Sequence, residues 1–295
     1  MSTSTPKPRF RHLCAVSIVF FSLVVFRGLL IRLVNLSLGD DAYSYIVLIP
    51  FISACLIYVE KQRIFLSLTY SPWLGGAMLL LGGVTYWLDR ADRLGVESGG
   101  LSAAVLAIVL IWVGGFALCY GKQTLQAAAF PLCLLMLMIP MPAIVLSKIV
   151  AALQIGSADV TYAIFRVAHI PVLRQGLKFS LPGVDIEIAQ ECSGIRSSMS
   201  LFIVSLLAGH LFLRAAWRKV CFSAATIFVV IFKNGVRIAT LSWLGVYVNR
   251  DFLYGSLHHR YGGLVFSLLA FVILVPLLVL LHEPGGLLDE PRSSG

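Results

Sequence analysis

Charge is what this sequence has least of. Charged residues make up 13% of its 295 residues, against roughly 25% in soluble globular domains. Acidic residues are the scarcer kind, 14 Asp and Glu against 23 Lys and Arg. A chain so poor in charge, 59% hydrophobic and with a mean hydropathy of +0.91, is excluded from the soluble class. Its apolar residues run on without helical amphipathicity or strand alternation. Lipid is the solvent that suits them.

A disulfide framework is absent too. Five of the six cysteines, Cys14, Cys55, Cys119, Cys133 and Cys221, fall inside or at the ends of apolar runs, where free cysteine acts as a small inert hydrophobe. They have neither metal-ligand spacing nor the setting of a small secreted scaffold. No HExxH pattern accompanies the histidines, so no metal and no cofactor is expected. Internal repeats and low-complexity segments are missing as well. The basic surplus, a formal net charge of +9, sits in short clusters between apolar runs rather than in a stripe with aromatics. That argues against nucleic acid and for topogenic charge facing the cytoplasm and anionic lipid.

With about 20 residues needed per crossing, the apolar runs predict an all-α polytopic protein of about eight transmembrane helices. They lie near Leu13–Val34, Ala42–Val59, Trp73–Leu88, Leu101–Tyr120, Thr124–Leu146, Ser193–Leu213, Val220–Val248 and Leu264–Leu281. The first is too long for a signal-peptide core and carries Arg27 and Arg32, so it reads as a retained helix. The seventh is overlong and interrupted by Lys233-Asn234-Gly235, which makes its outer part a broken or a protein-buried stretch. Residues 1–12 and 283–295 read as cytoplasmic tails of one multi-helix transmembrane domain spanning 13–282.

Orientation follows from the loops, because Lys and Arg stay on the cytoplasmic side. The N-terminus, Lys61/Arg63, Lys122 and Arg214/Arg218/Lys219 alternate with loops holding Asp40/Asp41 and Asp89 to Glu97. Both termini are then cytoplasmic, and Ser147–Glu191 and Asn249–Gly263 face outward. The longer of these segments reads as an interfacial helix from Lys148 to about Ala168, a turn at His169-Ile170-Pro171, and strand-like pieces Leu177–Leu181 and Val184–Ala189. Pro182-Gly183 between the pieces is turn chemistry. A small extracytoplasmic β-hairpin thus leads the chain to Cys192.

Gln190 to Ser198 is polar and runs at once into the apolar stretch Met199–Leu213, which puts Cys192 at a helix N-terminus. Unpaired N–H groups and the helix dipole favour an anion there, and Arg196 follows one turn later. A thiol so placed has an enlarged thiolate fraction, and the same N–H groups suit an oxyanion. The plainer reading makes Cys192 a small residue at a tight turn. Asn234-Gly235-Val236-Arg237 sets an arginine at a depth where it needs a polar interior or a partner. That partner is either a substrate or an acid such as Asp185, Glu187 or Glu191, while Lys233 snorkels. His258-His259 is either a proton-transfer group near neutral pH or solvated surface. The charge-derived topology brings Cys192, Arg237 and His258/His259 to one face, as acyl transfer from a peptide bond requires.

These residues resemble the exosortase/archaeosortase family of polytopic membrane enzymes. The likeness rests on Glu191-Cys192-Ser193-Gly194-Ile195-Arg196-Ser197, then Asn234-Gly235-Val236-Arg237-Ile238, then His259-Arg260-Tyr261-Gly262-Gly263. The proline-bounded run from Phe130-Pro131-Leu132 through Ile139-Pro140-Met141-Pro142 adds to it, so that most of the chain from about the second span is covered. The three motifs in order are the specific signal. The resemblance implies a cysteine transpeptidase of the plasma (inner) membrane with catalytic Cys192 and Arg237. It also implies one catalytic histidine: His259 by the His-Arg-x-Gly-Gly spacing, or His258 by the one-residue-longer form. Arg196 and Asn234 take secondary roles.

The implied partners are membrane lipid and exported proteins that end in a short motif such as Pro-Glu-Pro, one membrane helix and a basic end. Two other functions compete on the residues alone, a transporter or permease and a non-catalytic assembly subunit.

Overall fold

A computed structural model describes residues 8–66, 68, 71–91, 101–182, 184–189, 193–249 and 262–282. The chain divides into two compact units, Met1–Ala143 and Ile144–Gly295. Among the described residues five helices are long and apolar enough to cross a membrane, and a bent pair brings the number to six. Large apolar side chains stay outside the packed interior, among them Phe21, Leu80, Phe228 and Leu280. In a bilayer that outer surface is the stable one.

The first unit opens with α1 (Pro8–Val25) and α2 (Arg27–Gly39), which meet at 77°. The single helix expected over Leu13–Val34 is therefore broken. Phe26 leaves the helical conformation at φ −95°, ψ 16°, and its ring sits edge-on to Tyr86 at 4.9 Å. A 3-10 turn, Asp41–Tyr43, leads into α3 (Leu48–Val59) and the short α4 (Lys61–Ile64). Next come α5 (Pro72–Arg90) and α6 (Leu101–Tyr120), which pack as an antiparallel pair. Gly75 lets them close: a Cβ there would lie 2.5 Å from the Leu118 backbone nitrogen. Such small-residue contacts draw membrane helices together where no hydrophobic force separates protein from lipid. Trp112 of α6 donates to Ser22 of α1 at 2.7 Å.

The fifth expected span, Thr124–Leu146, is not one helix, and Ala129–Met138 within it is a shorter apolar helix than a span needs. Its course is α7 (Lys122–Ala127), α8 (Ala129–Leu134) and a 3-10 turn over Leu135–Met138. It begins where Thr124 bonds the Tyr120 carbonyl and ends where Ser102 bonds the Pro140 carbonyl, so it runs the length of α6. Pro140 and Pro142 stop it, each lacking an N–H and restricting the residue before.

The second unit begins with α9 (Ala143–Val167), longer than the interfacial helix expected from Lys148 and apolar enough to qualify as a span. His169, at φ 56°, closes it, with the Ile170 N–H returning to the Phe165 carbonyl, a left-handed helix end. A three-stranded antiparallel sheet follows: β1 (Leu173–Gln175), β2 (Lys178–Leu181) and β3 (Val184–Glu187). The expected hairpin is its β2–β3 half, paired Leu181 to Val184 across the turn. β1 adds the strand not foreseen, and Arg174 within it pairs with Asp159 of α9 at 2.7 Å.

Helices α10 (Ile195–Phe212) and α11 (Ala216–Tyr247) form an antiparallel hairpin, and α12 (Gly262–Leu281) packs on both. The 32 residues of α11 form one helix, about 48 Å long at 1.5 Å per residue against a hydrocarbon core of roughly 30 Å. Its later part, with Ala239, shares an apolar core with Phe165, Phe179, Leu181 and Ile188 beneath the sheet. The later part of α11 thus lies against the apolar inner face of the sheet.

Candidate active site at the start of α10

Gly194 is the N-cap of α10 and lies in the left-handed region at φ 70°, ψ 21°, where a side chain is strained. Its carbonyl is taken up by the helix it starts, accepting from the Ser198 N–H at 2.9 Å and from the hydroxyls of Ser197 at 3.0 Å and Ser198 at 2.7 Å. Ser193 is fully buried, with its Oγ accepting from the Ile195 N–H at 3.4 Å. Ser193, Gly194 and the first turn of α10 are therefore tightly bonded together.

Against this turn stands the polar stretch of α11. Of the two readings offered for Lys233-Asn234-Gly235, protein burial holds and a break does not, because α11 continues through all three. Asn234, 1% exposed, lies against Gly194 and donates from Nδ2 to Ser157 Oγ of α9 at 3.0 Å. The Thr161 hydroxyl lies 2.7 Å from the Ser157 carbonyl and 3.1 Å from that of Gly235. Gly235 permits this crossing, since a Cβ there would approach Val160 Cγ1 to 2.5 Å. Three helices thus meet on small and polar residues, and no lipid reaches the backbone there.

Lys233 corrects the snorkelling expectation. It is 2% exposed, and its Nζ donates to Ser197 Oγ at 2.6 Å. The sequence held a signal for it, because Lys233 stands one helical turn before Arg237 and so shares its face. Ser157 and Thr161 share a face of α9 by the same spacing. Arg237 is half-buried and Arg196 exposed. Of the acids expected near Arg237, Glu187 pairs with Lys178 at 3.5 Å.

The structure therefore joins Asn234 directly to the α10 turn and places Arg237 one turn beyond Lys233 on α11. Cys192, His258, His259 and Glu191 lie outside the described residues. Cys14 is half-buried, Cys119 buried, and Cys55, Cys133 and Cys221 exposed on apolar helices.

A multi-pass helical membrane protein with a buried polar three-helix junction at one helix start is what fold and site define. The chain matches the family model of the transmembrane exosortases (Exosortase_EpsH) over residues 35–275 and belongs to that family. No curated protein and no solved structure gives a match. Membership makes it a membrane enzyme of the protein-sorting kind, transpeptidase-like, with exported proteins as its general class of substrate.

Proposed function

We propose that this exosortase is a cysteine peptidase or transpeptidase that removes the C-terminal sorting signal of exported proteins at the outer face of the plasma membrane. The carrying observation is the α10 start, a left-handed Gly194 locked between Ser193, Ser198 and Asn234 two residues after the one cysteine outside the apolar runs. The chain crosses the membrane about eight times, both termini are cytoplasmic, and residues 13–282 are the catalytic domain.

The Cys192 thiolate attacks the peptide carbonyl at the outer end of the substrate's membrane helix, forming a C–S bond. The C–N bond then breaks, and His259 or His258 delivers its proton to the departing amine. The thioester next passes its acyl group to an acceptor hydroxyl or water, whose proton the histidine takes as the C–S bond breaks, and the thiolate is restored. Arg237 balances the oxyanion in both steps, with Arg196 as a second cation and Asn234 as the residue that seats the turn. Lipid surrounds the site and meets its substrates in the same plane.

Cys192→Ser tests this reading in intact membranes. A tagged substrate should keep its C-terminal helix in the variant and lose it with the native enzyme. Normal processing by the variant would remove the cysteine from the reaction and favour a permease or an assembly subunit.

A further inference from the structure

A lysine on a membrane helix ordinarily keeps its ammonium in water by extending its stem. Lys233 does the opposite. It is 2% exposed and turns inward to the first turn of α10, where Nζ meets Ser197 Oγ at 2.6 Å. Among the described residues no ion pair to a carboxylate includes it. Ser197 in turn donates to the Gly194 carbonyl at 3.0 Å, the carbonyl that also takes the Ser198 N–H and hydroxyl. A chain of bonds therefore runs from Nζ through Ser197 to the left-handed residue that starts α10.

We propose that Lys233 is a positioning residue of the reaction site, acting through Ser197 to fix the turn at Gly194 and with it the orientation of the N–H groups at the start of α10. The inference rests on the reading above that this turn presents the nucleophile. It adds to it, because neither Lys233 nor Ser197 takes part in bond making. Burying a long flexible side chain costs rotamer entropy, and an amine taken out of water requires a partner. The compensation here is a rigid turn at the one place where small displacements matter, since a misplacement of about 1 Å costs up to 10²-fold in rate. Asn234, at the adjacent position of α11, packs against Gly194, so that α11 meets this turn twice.

The test uses the full-length protein in membranes, with a tagged substrate and a small thiol reagent. Lys233→Met and Ser197→Ala should each lower kcat by at least ~10-fold with KM held within about twofold, and each should slow Cys192 labelling. The double variant should be no worse than either single one, as for residues joined in one bond chain. Ser197→Thr, which keeps the hydroxyl, should restore the rate.

Additive losses, a change confined to KM, unchanged labelling, or a normal Ser197→Ala would overturn the proposal. So would a Ser197→Thr as inactive as Ser197→Ala, because keeping the hydroxyl would then not keep the rate. If Lys233→Met fails to accumulate, the Ser197→Ala and Ser197→Thr pair decides alone. Cys192→Ser measured alongside separates the two readings: normal processing there sinks the cysteine mechanism, whereas loss there with additive Lys233 and Ser197 effects sinks only this inference.

Discussion

A Cβ built on Gly194 would lie 2.9 Å from Oδ1 of Asn234. That closeness and the positive φ of 70° give Gly194 two independent reasons to be glycine. Gly194→Ala should therefore cost about 1–2 kcal/mol for the left-handed backbone alone and more for the contact. Gly194→Ala/Asn234→Ala should recover the contact part and leave the backbone part. Thermal stability in detergent reads the first effect, and substrate processing reads both. A Gly194→Ala enzyme as stable and active as the native one would show that the turn is not held as described.

The crossing of α9 and α11 predicts a compensating pair. Gly235→Ala brings a methyl to within 2.5 Å of Val160 Cγ1, so overpacking of about 1–3 kcal/mol is expected. Val160→Ala in the same chain should return most of it. If the double variant is no more stable than Gly235→Ala, the helices do not close on these residues.

Most of the helical framework was legible because lipid demands long apolar runs, and Leu101–Tyr120 matches the expected bounds at both ends. The bend at Phe26 and the separate pieces of 122–138 were not legible. Hydropathy records how much apolar length a segment has, not where a ring such as Phe26 docks or where a backbone turns. The β2–β3 hairpin announced itself by Pro182-Gly183, whereas β1 is only three residues long and gave no period. At the site, the stretch leading into α10 and the Asn234–Arg237 stretch stood out in the sequence as polar residues among apolar runs. The inward turn of Lys233 was not read, although its place in mid-helix, one turn before Arg237, carried the signal for it. The match to the exosortase family model bears out the resemblance those motifs suggested.

Orientation is tested by reporters. A fusion after Glu60–Arg63 or Arg214–Lys219 should report cytoplasmic, and one within Ser147–Glu191 should report external, following the distribution of Lys and Arg. A cytoplasmic signal from the sheet region would put the start of α10 on the wrong side for exported substrates.

The arginine and the histidines separate the enzyme from its rivals most sharply. Arg237 is half-buried on the face of α11 that also bears Lys233, so its position is set by a helix. If it stabilises charge in the transition state, Arg237→Lys should lose about 10²–10³ in rate, because an ammonium cannot reproduce the guanidinium's planar fork. Protein level and insertion should be nearly unchanged, since the charge is kept. Of His258→Ala and His259→Ala, one should be nearly inactive and the other mild, because a single imidazole serves one thiol. The His-Arg-x-Gly-Gly spacing favours His259 as the inactive one. Release of the C-terminal helix from a tagged substrate is the measurement for all three. Normal processing by both histidine variants and by Arg237→Lys would dismantle the catalytic set of Cys192, Arg237 and histidine while leaving the family membership intact.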